Sequence, residues 1–384
     1  MTSPVEILRT LVGIPSVSAM SNRSIIDAAA ALLAQHEWIC RELPWRDAQN
    51  IEKVNLIAVP QPQGFADTAV DLAFVCHTDT VPFSADRWPQ ATTLEERDGM
   101  LHGCGACDVK GSLAGILAAV CSVDASQISG TVALLLTADE EIGCVGATHL
   151  LAANAIHPRR TIICEPTSLR PASAGKGYGL AEVRVLGKEA HSAFPQQGTS
   201  AIYAAASIVR EIDLAAHNRP ASHHELFDPP YTTFNVGTIQ GGTAKNILAG
   251  ECRFLVEWRP VPSEDPQAAL KWLQELASRI VAASGCTVEI TPLRAEAGFD
   301  HSRDSRLSPL LASLLKRQPT GISFGSEATR FSRVSGEVVV VGPGNMHTAH
   351  SDRECIPVAE LLAWTECVSA LLRGAAGSTQ PPSR

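Results

Sequence analysis

The chain has 384 residues, 45% of them hydrophobic and 18% charged, with a formal net charge of −9; that length can bury a large core and predicts two domains. The acidic balance disfavours nucleic acid or an anionic membrane as partner, and no apolar run reaches the ~18 residues needed to span a bilayer. Met1-Thr2-Ser3-Pro4-Val5-Glu6 lacks the basic and apolar regions of a signal peptide, and eleven scattered cysteines, an odd number, suit reduced thiols of a cytoplasmic protein better than a disulfide framework.

Residues 1 to about 170 alternate strand-like and helix-like segments. The periodicity predicts helices over Ile25–Trp38 and Val109–Val120. Apolar runs at Val70–Cys76, Thr131–Thr137 and Thr161–Cys164 read as buried strands. Such alternation implies a mostly parallel sheet covered by helices. The style changes after Pro171. Leu180–Leu186, Thr232–Ile239 and Cys252–Trp258 alternate like half-exposed strands, and Thr287–Thr291 is a fourth. Thr199–Ala215 and Gln267–Ala283 have helical periodicity. The order β-α-β-β-α-β is the ferredoxin-like pattern. The first style then resumes with a helix near Ser308–Lys316, a strand at Val338–Val341 and a final helix over Val358–Leu372. The expectation is an α/β catalytic domain (1–173 and 293–373) carrying an inserted α+β domain (174–292). Gly374–Arg384, rich in Gly, Ser and Pro, reads as a flexible tail.

The four strands predicted in the catalytic domain end in chemically similar ways. The first delivers His77 and Asp79, the second Asp139, Glu140 and Glu141, the third Glu165, and the last leads through Gly342-Pro343-Gly344 to His350. In open α/β sheets the ligand crevice lies beyond the carboxyl ends of the strands. Imidazole and carboxylate are ligands for zinc, and a pair of ions needs a carboxylate shared between them. The candidate ligands are therefore His77, Asp108, Glu141, Glu165 and His350. Asp79, two residues beyond His77, is placed to accept the other ring N–H and fix the tautomer.

These residues carry a resemblance. His77-Thr78-Asp79-Thr80-Val81-Pro82 is similar to a signature of the two-zinc aminoacylase, deacetylase and carboxypeptidase family. Gly103 to Gly111, Thr137 to Glu141, Glu165-Pro166-Thr167, and Gly342-Pro343-Gly344 with Ala349-His350 resemble its later motifs, in the same order. The resemblance implies that Asp108 bridges two divalent ions, zinc or alternatively cobalt. His77 and Glu165 would complete one site, Glu141 and His350 the other. It further implies Glu140 as general base, a cis peptide between Asp108 and Val109, and a homodimer formed through an inserted lid. His191 of that lid would reach the active site of the opposite subunit, and Asn246 and Arg259 would hold the substrate carboxylate. Glu165 to Leu169, Thr233 to Ile239 and Glu327-Ala328 resemble the branch acting on N2-acetyl-L-ornithine, an arginine-biosynthetic reaction. On that reading the substrate is a small N-acyl amino acid, and Glu327 is the acid placed to meet a side-chain ammonium.

Other readings stay open beside it. Hydrolysis of N-succinyl-diaminopimelate, N-acetylcitrulline, another N-acyl amino acid or a dipeptide is the nearer alternative, and a non-catalytic metal-binding protein the more distant one. Cys104-x-x-Cys107 could be a structural zinc or redox pair, although no second pair completes four ligands. His347 competes with His350 for the last ligand position. The chain has no His-Glu-x-x-His helix.

Overall fold

The computed structural model describes residues 3–65, 68–218 and 223–375. The tail expected over 374–384 lies, from residue 376 on, outside the described residues. The chain divides into two compact units. One contains the residues up to Ser173, His301–Thr320 and the residues from Ser326 on; the other contains Ala174–Asp300 and Gly321–Gly325.

The first unit is built on a mixed sheet whose centre is parallel. Its order runs Trp38–Arg46, Glu52–Pro60, Val132–Thr137, Leu72–His77, Arg160–Ile163 and Glu337–Val340, beside which Ala172 pairs with Val340. The four strands from Val132–Thr137 to Glu337–Val340 are mutually parallel, and the flanking strands are antiparallel. Every residue of Leu72–His77 and Val132–Thr137 is buried, as expected of parallel strands covered on both faces. The Lys110–Ser122 helix is buried from Lys110 through Val120, and a helix apolar on all sides belongs in a core. It packs against the final helix, Val358–Ala370, where Trp364 Nε1 donates to Ser112 O at 3.0 Å. Gly115 makes that approach possible, because a Cβ there would lie 2.5 Å from Trp364 Cδ1.

The N-terminal region departs from expectation. The helix spans Arg23–Gln35, and Trp38 opens a strand instead of closing a helix. Trp38 to Arg46 then pairs antiparallel with Glu52–Pro60 through nine residue pairs, from Trp38↔Pro60 to Arg46↔Glu52. Charged residues and Pro44 in the edge strand mask its alternation, and the pairing that stabilises it is non-local.

The second unit is a four-stranded antiparallel sheet in the order Thr233–Gly241, Glu251–Arg259, Tyr178–Leu186 and Thr287–Glu296. The helices Ala201–Asn218 and Ala268–Ser284 contribute to its core, with Ala205, Ile208, Leu273 and Leu276 packed beside Val183, Phe254 and Trp258. This is ferredoxin-like connectivity. The last strand runs to Glu296, five residues beyond the expected end, and pairs with Tyr178–Leu186 along its length except at Leu293, where the register shifts. That pairing is why the residues just past 292 fall in this unit.

Among the described residues no helix is long and apolar enough to cross a membrane, and all eleven cysteines are free.

Trp364→Ala is expected to cost the first unit about 3–5 kcal/mol and Gly115→Ala about 1–3 kcal/mol by overpacking. Urea unfolding measures both; a loss below ~1 kcal/mol for Trp364→Ala would contradict the packing described.

Candidate metal centre

The four parallel strands end on one side of the sheet, and each supplies chemistry at its last residue or in the loop that follows. His77 closes Leu72–His77, where it pairs with Thr137. Glu140 and Glu141 follow the Val132–Thr137 strand, Glu165 follows Arg160–Ile163, and His350 lies in the loop after Glu337–Val340. Asp108 comes from the loop ahead of the Lys110–Ser122 helix, and its peptide to Val109 is cis.

Two triads form around Asp108: His77, Asp108 and Glu165, and Asp108, Glu141 and His350, with the donor atoms of each within 4.8 Å of one another. His77 Nε2 lies 3.0 Å from Asp108 Oδ1 and 4.0 Å from Glu165 Oε1. His350 Nε2 lies 3.1 Å from Asp108 Oδ2 and 3.1 Å from both Glu141 oxygens. Thus the two oxygens of Asp108 face two different histidines. Ligands of a tetrahedral ion with bonds of ~2.0–2.2 Å sit roughly 3.3–3.6 Å apart, so the spacing and the donor chemistry both fit a divalent cation in each triad. His347 is in neither group.

The electrostatics point the same way. Burial pushes Glu165 well above the usual carboxylate range, and the Asp108 charge adds to it. Glu141 is also raised by burial, although the hydrogen bond with His350 pulls it back. Burial would raise Asp108 too, but hydrogen bonds with His350 and His77 outweigh it and hold the group below its ordinary value. His350 is pushed up to about 10 by Asp108 and Glu141. His77 is raised as well: burial opposes its charge, and Asp108 and Asp79 overcome that. Protons thus hold the cluster together where cations would do so more strongly.

Glu140 stands beside the two triads without belonging to either. Burial pushes its carboxyl up to about 8, and Cys144 Sγ donates to its Oε1 at 3.3 Å.

Asp79 does more than orient a ring. His77 Nδ1 meets the backbone carbonyl of Asp79 at 3.0 Å and its carboxylate only at 3.6 Å. The carboxylate instead accepts the backbone N–H groups of Glu140 (3.0 Å) and Glu141 (3.2 Å) and the Ser18 hydroxyl (2.7 Å). It ties the His77 strand end to the turn that bears the two glutamates.

Glu354 was not singled out from the sequence. It is 1% exposed, and its Oε1 accepts the backbone N–H groups of Cys107 and Asp108, each at 3.0 Å, so it fixes the loop carrying Asp108. Burial, then the Asp108 charge, pushes it up to about 7. Its only sequence signal is an acid four residues after His350. Cys104 and Cys107 are both buried; Cys107 Sγ donates to Asn345 O at 3.4 Å, and neither cysteine joins a metal-ligand group among the described residues.

Glu327 is also buried, at 1% exposure. Burial pushes its carboxyl up to about 7, against the pull of His77. In the second unit, His191 is exposed and its Nδ1 accepts the Ala193 N–H at 3.1 Å, which leaves the ring proton on Nε2 as a donor. Asn246 is exposed, and its backbone carbonyl accepts the Ser192 N–H at 2.9 Å. Arg259 donates Nε–H to Glu257 at 3.0 Å and lies over the Tyr178 ring, 4.0 Å from its centroid.

A twin-triad carboxylate–histidine site at the carboxyl ends of a parallel sheet defines a metal-dependent hydrolase. The sequence profile of peptidase family M20/M25/M40 matches residues 73–374, and the chain belongs to this family. It is 39% identical to an acetylornithine deacetylase of Myxococcus xanthus over 371 residues, covering 96% of each chain. Among solved structures it resembles a tripeptidase of Staphylococcus aureus, with a TM-score of 0.80, 20% identity, and 97% of this chain and 98% of the other covered. It also resembles a Bacillus subtilis protein described as a dinuclear metal-binding peptidase of the M20 family, with a TM-score of 0.69, 16% identity and 98% of both chains covered.

The buried acids set the pH dependence of the metal-free chain. Glu140, Glu327 and Glu354 hold protons up to about 8, 7 and 7, whereas an unfolded glutamate releases its proton near 4.5. A raised folded value stabilises the protein below the unfolded value and is lost as pH rises through the folded one. His350, raised from 6.5 to about 10, acts in the same direction at higher pH. The Tm of chelator-treated protein should therefore fall steadily from pH 5 to 9, and metal should restore more of it at the alkaline end. A metal-free Tm that rises across this window in scanning calorimetry would contradict the assignment.

Proposed function

We propose that this protein is a zinc-dependent deacetylase that hydrolyses an N-acetyl amino acid, with N2-acetyl-L-ornithine as the substrate and L-ornithine and acetate as products. The observation that carries this reading is the pair of triads sharing Asp108 with Glu140 beside them. The 39% identity over 96% of the chain to a protein named acetylornithine deacetylase supplies the substrate. The setting would be arginine biosynthesis in the cytoplasm.

His77, Asp108 and Glu165 would hold one zinc and Asp108, Glu141 and His350 the other, with cobalt as the alternative metal. When bound, such ions lower the pKa of water toward ~7 and polarise the acyl carbonyl. Glu140 takes the proton of the attacking water. An amide nitrogen leaves poorly unless protonated, so the same carboxyl then delivers that proton to the leaving amine. In the metal-free chain desolvation holds this carboxyl protonated up to about 8; cations bound beside it would favour the ionised form that accepts the water proton. Asp79 keeps the Glu140–Glu141 backbone in place while this happens.

His191 serves as the oxyanion donor, and its Nε2 proton suits that role. On this reading it acts in a homodimer formed through the second unit. Arg259 would bind the substrate α-carboxylate with its Nη nitrogens, since its Nε is engaged by Glu257 and its plane is fixed on Tyr178; Asn246 would assist. Glu327 would meet the ornithine ammonium, because a carboxyl kept neutral by burial ionises when a cation is brought to it.

Glu140→Ala should lower kcat by about 10⁴ or more with both metals retained, measured by steady-state turnover and elemental analysis. Retained activity, or metal loss as the main defect, would mean that Glu140 and Glu141 are assigned the wrong way round. Wild type should prefer N-acetylornithine over N-acetylcitrulline, which keeps the shape but lacks the charge, and Glu327→Gln should abolish most of that preference. Equal turnover of the two by wild type would leave amide hydrolysis standing and remove the ornithine assignment.

A further inference from the structure

The turn that carries Glu140 and Glu141 is gripped by two side chains of the neighbouring antiparallel strand. Glu52–Pro60 pairs with Val132–Thr137 as Leu56↔Leu136, Ile57↔Leu135 and Ala58↔Leu134. Continued in register, Asn55 falls opposite Thr137 and Lys53 opposite Asp139, past the end of the ladder. Residues two apart on a strand share a face, and both are buried, at 0% and 1% exposure. Asn55 Oδ1 accepts the Ala138 N–H at 3.1 Å and its Nδ2 donates to Gly146 O at 2.8 Å, so a single amide closes both ends of the turn. Lys53 Nζ donates to Asp139 Oδ1 at 2.6 Å, to Met20 O at 2.9 Å and to Ser18 O.

Asp139 directly precedes Glu140 and has a φ of 55°, a left-handed conformation that costs most residues energy. Its backbone carbonyl accepts the Val145 N–H at 3.0 Å. A buried ion pair contributes little net stability compared with a well-packed apolar pair. What this one supplies is position: it anchors the left-handed residue from which Glu140 departs, and through Ser18 it joins the Asp79 carboxylate that binds the Glu140 and Glu141 N–H groups.

We propose that Lys53, acting through Asp139, is a positioning residue for the catalytic glutamate. This rests on the reading of Glu140 as base. Lys53 touches no reacting atom; it fixes the backbone turn that aims the carboxyl.

The test uses full-length, metal-loaded protein carrying Lys53→Met, Asp139→Asn, or both. Asp139→Asn keeps the shape and tolerance for positive φ and removes only the charge, so it carries the test should Lys53→Met fail to fold. Misplacement of a reacting group by about 1 Å costs up to roughly 10²-fold in rate. Each single variant should lower kcat by about 10- to 100-fold, with KM within about twofold and metal content unchanged, and the double variant should be no worse than the worse single. Independently of turnover, hydrogen exchange over residues 138–146 should accelerate in each variant by at least about tenfold while the Lys110–Ser122 helix stays protected. Unchanged exchange at 138–146, or additive losses in the double variant, would overturn the proposal. So would a kcat within twofold of wild type in a folded variant. If wild type hydrolyses no N-acyl amino acid, the functional reading fails, and the exchange measurement still decides whether the clamp exists.

Discussion

Crowding of like charge around one carboxylate is the constraint on which the rest of the structure depends. Asp108 shares one ligand group with Glu165 and another with Glu141, each group holding one imidazole, in a site where burial works against every ionised carboxylate. In the metal-free chain burial first, and then neighbouring charge, raises the carboxyls of Glu165 and Glu141, while hydrogen bonds with the carboxylates raise the imidazoles of His77 and His350. Two cations sharing Asp108 would offset the carboxylate charge and release the protons these groups hold.

Holding such a cluster requires a backbone that cannot relax, and the surrounding contacts supply one. Glu354 binds two successive N–H groups at the Asp108 loop, and Asp79 binds two at the Glu140 turn. Asn55 spans the two ends of that turn. Each is a buried polar side chain whose partners include backbone N–H groups, so its loss would leave orphaned N–H donors next to the site. The four parallel strands set where the ligands emerge; these side chains set how they point.

The chemistry of the site was legible in the sequence because its residues are conspicuous there. Histidine and acids at the ends of fully apolar runs have no place in a core, and four such ends in one chain select a metal site over isolated polar caps. The parallel centre of the sheet and the order of the second unit followed from apolar runs and alternation. What escaped was whatever depends on partners distant in the chain. Trp38–Arg46 reads ambiguously because its alternation is broken by Arg41, Glu42 and Pro44, and only pairing with Glu52–Pro60 makes it a strand. Lys53 and Asn55 look like ordinary polar residues on a surface strand; burial against the turn at residues 138–146, more than 80 positions away, gives them their role. Glu354 carries no such signal, because acids near a loop are common and nothing local marks an acceptor for the Asp108 backbone. The place of Asp79 two residues after His77 predicts a partner for the ring; nothing local predicts that its carboxylate also binds the N–H groups of the Glu140 turn.

The central claim is that one carboxylate, Asp108, serves two cations. Metal titration by calorimetry, with elemental analysis of wild type and Asp108→Asn, tests it most directly. The account predicts two divalent ions per wild-type chain, and in Asp108→Asn a weakening at both sites that exceeds the ~10–100-fold cost of losing an outer-shell partner. A single ion per wild-type chain, or two ions bound with unchanged affinity after Asp108→Asn, would contradict it.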